Sequence, residues 1–180
     1  MLLTSNKNAG FYLTREQSRT QFAMWSALAA PLMIGGPVGS LSEWDMETYS
    51  NEEVVAVDQD AAGKQGRSLM YKQPIGAELI LGRELADGGL SMVFVNANLV
   101  THADVTCDEA CWAKTGFAKG TRLSVRDLWL HGPAKEAVAV AGQPYAVHLA
   151  PGGQSAMFKF TVAAAAVHPA AKTYTVRLSP

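Results

Sequence analysis

The amino-acid sequence predicts a mixed fold, in which a short α/β segment is followed by an antiparallel β-sandwich of the Greek-key kind. The α/β prediction rests on a helical spacing of apolar residues that leads into an unalternating apolar run at residues 31–36. The β prediction rests on the chain after Lys64, where short runs alternate between apolar and polar side chains. Hydrophobic residues make up 48% of the chain and charged residues 17%, which indicates a packed core.

The first helix is predicted to begin after Thr14. The threonine side chain can accept a hydrogen bond from the backbone of Gln17, whose own side chain can reach back to the Thr14 amide. Pro31 ends the pattern, because proline lacks a backbone donor and disfavours helix in the residue before it. The sequence therefore predicts a helix over residues 15–29, with an apolar face at three- and four-residue spacing (Phe22, Trp25, Leu28, Ala29).

The next elements are a buried strand and a second helix. Residues 31–36 form a short apolar run that ends in two glycines, as expected for a strand covered on both faces. Ser40 and Ser42 each precede an acidic residue by three positions, a signature of a helix start. The order helix, buried strand, helix is that of an α/β barrel or of a doubly wound sheet.

Six strands are predicted after Lys64, at residues 79–81, 90–95, 122–126, 145–149, 156–160 and 174–178. Gly88-Gly89 and Pro151-Gly152-Gly153 are predicted to form tight hairpin turns, since glycine adopts positive φ without steric cost. The change in pattern places a domain boundary near residues 63–66. We therefore expect one domain at residues 1–62 and a second, the β-sandwich, at residues 63–180.

Charge and hydropathy exclude several classes of partner. The formal net charge is −1, so no basic surface is expected to attract nucleic acid or an anionic membrane. No apolar run approaches the length of a bilayer span, and the N-terminus lacks the features of a signal peptide. The sequence has no phosphate-binding glycine motif, and its four histidines (His102, His131, His148, His168) do not form a spaced ligand set. We expect no cofactor and no metal.

Neighbouring carboxylates, which acid/base catalysis requires, occur at three places. Those of the second helix are expected to cap it or to be solvated. Asp58 and Asp60 would share one side of an extended segment, but their place between the two domains favours a role in a turn. The full set is Glu43, Asp45 and Glu47 in the helix, Asp58 and Asp60 in the connection, and Asp104, Asp108 and Glu109 in a solvated loop. None is assigned a catalytic role.

Cys107 and Cys111 are the only cysteines, and their C-x₃-C spacing differs from that of zinc ribbons and thioredoxin-like motifs. A short-loop disulfide is favoured over the alternative of two free thiols. Closing so small a loop stabilises by only ~2 kcal/mol in the chain-entropy model.

Several segments together resemble glycoside hydrolase family 27, the α-galactosidases and α-N-acetylgalactosaminidases. The longest match is residues 50–66, which are similar to the family segment S-N-x-E-V-I-A-V-N-Q-D-P-L-G-x-Q-G. Residues 14–25 and 30–35 resemble the family's last barrel helix and eighth strand. Residues 125–129 resemble a strand of its C-terminal β-domain, and residues 107–111 a disulfide loop of its animal lysosomal members.

The resemblance implies that this chain is the helix–strand–helix end of a (β/α)₈ TIM barrel with the β-sandwich behind it. The family's nucleophile and acid/base aspartates lie on earlier strands, so no catalytic residue is expected here. Met1-Leu2 resembles the end of a motif whose methionine lines the galactose pocket, which makes Met1 a substrate-binding candidate; the alternative is an initiator methionine that happens to align. Asp58 stands where the family usually has asparagine. Secreted or lysosomal/vacuolar proteins are typical of this family.

Two functions are compatible with these observations. The first is part of a retaining exo-glycosidase acting on terminal α-D-galactosides of oligosaccharides or glycolipids. The second is a non-catalytic β-sandwich module that packs on a barrel or binds carbohydrate through aromatic side chains. The candidate aromatic residues are Trp112, Trp129 and Tyr145, and the alternative is that these side chains pack in the core. We further expect residues from Lys64 onward to fold alone and the segment before Asp60 to fray or to cause self-association.

Overall fold

The computed structural model describes residues 1–4, 13–72 and 78–163, so the predicted strand at 174–178 lies outside the described residues. The helices among the described residues are α1 (Arg15–Ala27), α2 (Glu43–Tyr49), α3 (Glu52–Asp58) and α4 (Glu109–Trp112), with a 3₁₀ turn at Val38–Ser40. The strands are β1 (Arg67–Tyr71), β2 (Glu78–Glu84), β3 (Leu90–Asn96), β4 (Ala103–Cys107), β5 (Arg122–Asp127), β6 (Gly132–Val140), β7 (Tyr145–Leu149) and β8 (Gln154–Val162).

Helix α1 begins with the predicted capping box. The Gln17 amide donates to Thr14 Oγ1 at 3.2 Å, and the Thr14 amide donates to Gln17 Oε1 at 3.1 Å. The helix ends at Ala27 rather than at residue 29, because Ala29 takes a left-handed conformation with φ of 53°. Its buried apolar residues are Phe22, Ala23 and Ala27.

The predicted strand at 31–36 is reduced to a parallel bridge between Leu2 and Ile34. The Leu2 amide donates to Met33 O at 2.7 Å, and the Gly35 amide donates to Leu2 O at 2.8 Å. Two short parallel segments joined through α1 make a β–α–β unit, as expected for the end of a barrel.

The second predicted helix is α2, and Ser42 caps it by accepting from the Asp45 amide at 3.1 Å. Ser40 instead ends the 3₁₀ turn, where its hydroxyl donates to Pro37 O. The prediction of an extended segment around Asp58 is wrong, since α3 ends at that residue. Asn51 caps α3 by accepting from the Val54 amide at 3.0 Å, and burial of its apolar face overrides the strand preference of its valines.

The β-domain is an antiparallel sandwich of unequal sheets. The large sheet has the order β1-β2-β3-β8-β5-β6, and the small sheet pairs β4 with β7. Every strand predicted for the β-domain within the described residues is present, whereas β1, β4 and β6 were not predicted. The turn at Gly88-Gly89 closes the β2–β3 hairpin, with Gly88 at φ of 79°. The second predicted hairpin is wrong, because residues 151–153 connect β7 and β8, which belong to different sheets.

Both faces of the large sheet are buried. Along β3, Met92 and Phe94 point into a core shared with β4, β7 and α4, while Val93 and Val95 point into a core shared with α1 and α3. The residues from Lys64 onward therefore cover only one face of the large sheet, and α1 and α3 cover the other. The domain boundary at 62/63 and the independent folding of the residues after it both stay predictions.

Arg83 lies in the second core with only 1% of its surface exposed. Its guanidinium donates to Ser26 O at 2.6 Å and to Asp58 O at 3.0 Å, the carbonyls at the ends of α1 and α3. A cation at the negative end of two helix dipoles is favourable, and the backbone bond that Ser26 O accepts from the Ala29 amide is long, at 3.3 Å. Arg83 thus joins the large sheet to both helices.

Candidate functional site

The candidate substrate-binding residue, Met1, lies at one end of the parallel segment pair. It is 62% exposed, and its side chain runs across the backbone of Gly35 on the neighbouring segment. A Cβ atom added at Gly35 would come within 2.6 Å of Met1 Cγ and 2.9 Å of Leu2 O. Gly36 is equally close to the neighbouring segment, since a Cβ atom added there would lie 2.6 Å from Thr4 Oγ1. The glycine pair therefore permits the close approach that presents Met1 to solvent.

The acidic residues of α2 have separate structural roles. Asp45 is fully buried and accepts from the Ser18 hydroxyl of α1, so the prediction that it caps the helix or is solvated is wrong. Glu43 is exposed, as predicted. Glu47 is exposed and pairs with Arg15 and Arg19, whose hydrogen bonds and charges lower the pKa of its carboxyl. These groups join α1 to α2 and do not converge on Met1.

The carboxylates of the connection and of the β-domain loop are also occupied. Asp60 accepts from the amides of Ala62 and Ala86, which is the turn and hydrogen-bonding role predicted for it. Asp58, with its carbonyl bonded to Arg83, ends α3 and does not form a catalytic pair with Asp60. Asp104, Asp108 and Glu109 are exposed, as predicted, but the prediction of one loop is wrong, since Asp104 lies in β4, Asp108 caps α4 and Glu109 lies in α4. Each has a partner: Asp104 with His148, Asp108 with the Cys111 amide, and Glu109 with Lys119.

A charged cluster that the sequence did not reveal joins α3 to the β-domain. Glu53 receives two hydrogen bonds from Arg126, at 2.7 and 2.8 Å, and lies 2.8 Å from His131 Nδ1. The hydrogen bond from Arg126 is the main cause that lowers the pKa of Glu53. His131 itself has φ of 53°, an uncommon conformation for a residue other than glycine. The two basic residues lie on β5 and on the turn after it, so proximity arises only on folding.

Cys107 and Cys111 form the predicted disulfide. The bond connects the end of β4 to α4, and both cysteines are buried in the core between the two sheets. Trp112 follows directly, is 1% exposed, and donates from Nε1 to Gln143 O at 2.6 Å. The disulfide therefore belongs to the core of the sandwich.

The aromatic residues considered for carbohydrate binding are mostly internal. Tyr145 packs edge-on against Phe158 and Phe160, and burial raises its pKa to about 12. Trp129 is partly buried in the helix-facing core, where the Arg19 guanidinium lies 5.3 Å from its ring centroid. Core packing is thus the correct interpretation for Trp112 and Tyr145, and these two rings present no face for stacking on a sugar.

In the part of the chain that the structure describes, no group of three or more His, Cys, Asp or Glu side chains could hold a metal ion. None of the described helices is long and apolar enough to cross a membrane.

Comparison with known proteins identifies the family. A family model described as alpha galactosidase A matches residues 5–60, the part that contains α1 to α3 and the second segment of the β–α–β unit. An α-galactosidase from Cyamopsis tetragonoloba is 34% identical over 119 residues, which cover 66% of this chain and 27% of the relative. Alpha-galactosidase 3 of Arabidopsis thaliana is 33% identical over 125 residues, covering 69% of this chain and 28% of the relative. The chain belongs to glycoside hydrolase family 27.

Solved structures of this family share the fold. α-Galactosidase I from Mortierella vinacea superposes with a TM-score of 0.72 at 21% identity, over 88% of this chain and 38% of that one. A family 27 β-L-arabinopyranosidase from Geobacillus stearothermophilus gives 0.68 at 21% identity, over 91% of this chain and 32% of that one. The chain spans about a quarter of the length of the curated relatives named above, and it corresponds to the C-terminal portion of a family 27 α-galactosidase.

Proposed function

We propose that this chain is part of a retaining exo-glycosidase that hydrolyses terminal α-D-galactosides, with both catalytic aspartates on barrel strands upstream of Met1. The observation that carries the proposal is that the family match over residues 5–60 covers α1 to α3 and Ile34, the second half of the parallel bridge to Leu2. In a barrel enzyme the active site lies at the carboxyl ends of the strands, where the loops into the helices begin. Met1 directly precedes Leu2, the bridge residue of the first parallel segment, and α1 follows this segment in the chain.

The reaction that we propose needs two carboxylates about 5 Å apart, one attacking the anomeric carbon and one protonating the leaving oxygen. The described acidic residues lie in helix contacts, turns and surface pairs, so this chain supplies neither group. Its contribution is a wall of the pocket. In this proposal Met1 contributes its exposed apolar side chain to that wall, and the close approach of Gly35 to Met1 supports this arrangement of the two segments.

The substrate class follows as part of the same proposal. The relatives in Cyamopsis and Arabidopsis are named α-galactosidases, which favours α-galactoside-containing oligosaccharides or glycolipids over α-N-acetylgalactosaminides. A secreted or lysosomal/vacuolar location is consistent with this function and with the disulfide, which persists in oxidising compartments.

Three assays test the proposal. The 180-residue chain alone should not hydrolyse an aryl α-galactoside, because both halves of the catalytic pair are missing. The same chain joined in frame to an upstream barrel segment that carries both aspartates should hydrolyse it with retention, as read by NMR of the first-formed sugar. In that longer enzyme Met1→Ala should raise KM, whereas Met46→Ala, at an exposed methionine of α2, should not.

Saturable hydrolysis by the isolated chain that survives repurification would refute the proposal. Galactoside binding by the isolated chain without hydrolysis would favour the non-catalytic module instead. Equal kinetics for Met1→Ala and Met46→Ala would remove Met1 from the pocket while leaving the reaction class intact.

Self-association of the isolated chain is a related expectation. Apolar side chains are exposed around the parallel segments and α2 (Met1, Leu3, Met33, Val38, Met46). Contiguous exposed apolar surface is typical of an interaction site. Sedimentation velocity should show a concentration-dependent shift toward dimers or larger species, and a monomer at all concentrations would contradict this expectation.

A further inference from the structure

Two histidines that are far apart in the sequence meet on the outer face of the small sheet. His148 lies in β7, and His102 directly precedes β4. Their rings are stacked, with centroids 5.3 Å apart and planes inclined by 13°. Both side chains are exposed, because alternate residues of these two strands point into the core and the histidines occupy the other positions.

A carboxylate fixes the orientation of one of the rings. Asp104 is the residue directly opposite His148 in the β4–β7 ladder, and its Oδ1 lies 2.7 Å from His148 Nδ1. In the neutral ring, a carboxylate beside Nδ1 favours the proton on Nδ1 and leaves the lone pair on Nε2. This carboxylate–histidine arrangement recurs behind metal-ligating histidines.

A buried amide holds the backbone beside both histidines. Asn96 is fully buried, and its Nδ2 donates to Thr101 O, which precedes His102, and to Leu149 O, which follows His148. The same nitrogen also donates to Ala150 O at 3.1 Å. One side chain thus fixes the separation of the two strands at the point where the rings meet, so little backbone entropy remains to be lost on binding a ligand.

We propose that His102 and His148 form an exchangeable site for a divalent transition-metal ion such as Zn²⁺. Neutral imidazole nitrogens suit Zn²⁺, Cu²⁺ and Ni²⁺, and not Mg²⁺ or Ca²⁺. His148 Nε2 and one ring nitrogen of His102 are the protein ligands, and water completes the coordination. Asp104 is a positioning residue for His148. The proposal does not depend on the proposed hydrolase activity.

The two rings need only a small adjustment. Two nitrogens that each bind zinc at about 2.1 Å must lie within roughly 4 Å of one another. The stacked rings are 5.3 Å apart at their centroids, so the exposed His102 ring has to rotate about its side-chain torsions. The terminal torsion of histidine is broad and therefore cheap to change. With two protein ligands, the site exchanges its ion and does not hold the fold together.

Calorimetric titration of the full 180-residue chain with ZnCl₂ tests the proposal. We expect one saturable site that is weakened at least tenfold by His102→Gln and by His148→Gln. Asp104→Asn should weaken binding by about tenfold, as is usual for the carboxylate behind a ligating histidine. The matched control is His131→Gln, which removes another exposed histidine that also lies beside a carboxylate and should leave the affinity unchanged.

Two results would overturn the proposal. The first is the absence of saturable binding by the unaltered chain. The second is binding that persists in His102→Gln and His148→Gln, which would place the ion elsewhere, for example at His168. All three substituted side chains of the site are exposed, so the variants should fold, and their circular dichroism spectra check this.

Discussion

The two faces of the large sheet are buried by different parts of the chain. The face toward β4, β7 and α4 is aromatic, with Phe94, Phe158 and Phe160 packed around Trp112 and Tyr145. The opposite face is mainly aliphatic and is covered by α1 and α3, with Arg83 buried in the same layer. The first face is closed by strands of the β-domain itself, whereas the second is closed by helices from the barrel end. From this difference we predict that the sandwich and the helices unfold as one unit.

Matched truncations in the two cores should have the largest effect. Phe22→Ala in α1 and Phe160→Ala in β8 each remove a fully buried ring, and each should cost about 3–5 kcal/mol in the free energy of unfolding. If the helices and the sandwich form one unit, both variants shift a single denaturant transition. A Phe22→Ala variant whose sandwich unfolds at the unaltered midpoint would show that α1 unfolds separately.

Arg83→Met should have the next largest effect, because it removes the side-chain donor of Asp58 O and leaves Ser26 O with only the Ala29 amide, at 3.3 Å. Each unsatisfied carbonyl costs roughly 1–3 kcal/mol, so we expect a loss of about 3 kcal/mol. Arg67→Met provides the control, since Arg67 is exposed and pairs with Glu84. Equal midpoints for these two variants in urea would contradict the role given to Arg83.

The disulfide lies in the core on the aromatic face of the large sheet, and not in the core that the helices cover. Replacing Cys107 and Cys111 together by alanine should destabilise the chain by ~2 kcal/mol in the chain-entropy model. Thiol titration of the denatured, unreduced protein should find no free thiol if the chain comes from an oxidising compartment. Two titratable thiols would exclude the disulfide in that protein.

The smallest effect is expected at the contact between α3 and the β-domain. Glu53→Gln should cost about 0.5 kcal/mol at neutral pH, the scale of an exposed ion pair. Because the folded-state pKa of Glu53 is lowered, its contribution is complete above the ordinary carboxyl pKa and is lost as the pH falls through the folded pKa. The difference between the unaltered chain and Glu53→Gln should therefore vanish in acid. A difference that grows toward low pH would contradict this sign.

The sequence predicted the features that depend on local patterns. The capping box at Thr14 and the alternating strands of the large sheet are read from neighbouring residues. Strand β6 was missed because it is an edge strand that begins with Gly132-Pro133 and carries exposed charged residues, so it lacks apolar alternation. Helix α3 was missed because its valines favour strands, and only packing on the sheet decides the outcome.

The candidate sites also divide into those that the sequence could predict and those that depend on the fold. Met1 was found through a resemblance to the family, and the disulfide followed from two cysteines close in the sequence. The His102–His148 pair could not be predicted, because its members approach only when β4 pairs with β7. Asp45 was misjudged for a similar reason, since its burial depends on the packing of α2 against α1.

Native-state hydrogen exchange tests most directly whether the helices and the sandwich form one unit. The comparison is between amides of α1 near Phe22 and Ala27 and amides of β3 near Val93, measured at increasing urea below the unfolding transition. We predict that both sets exchange through the same opening, with equal free energies and equal dependence on urea. Exchange of the α1 amides through an opening of much lower free energy, with β3 still protected, would contradict the account.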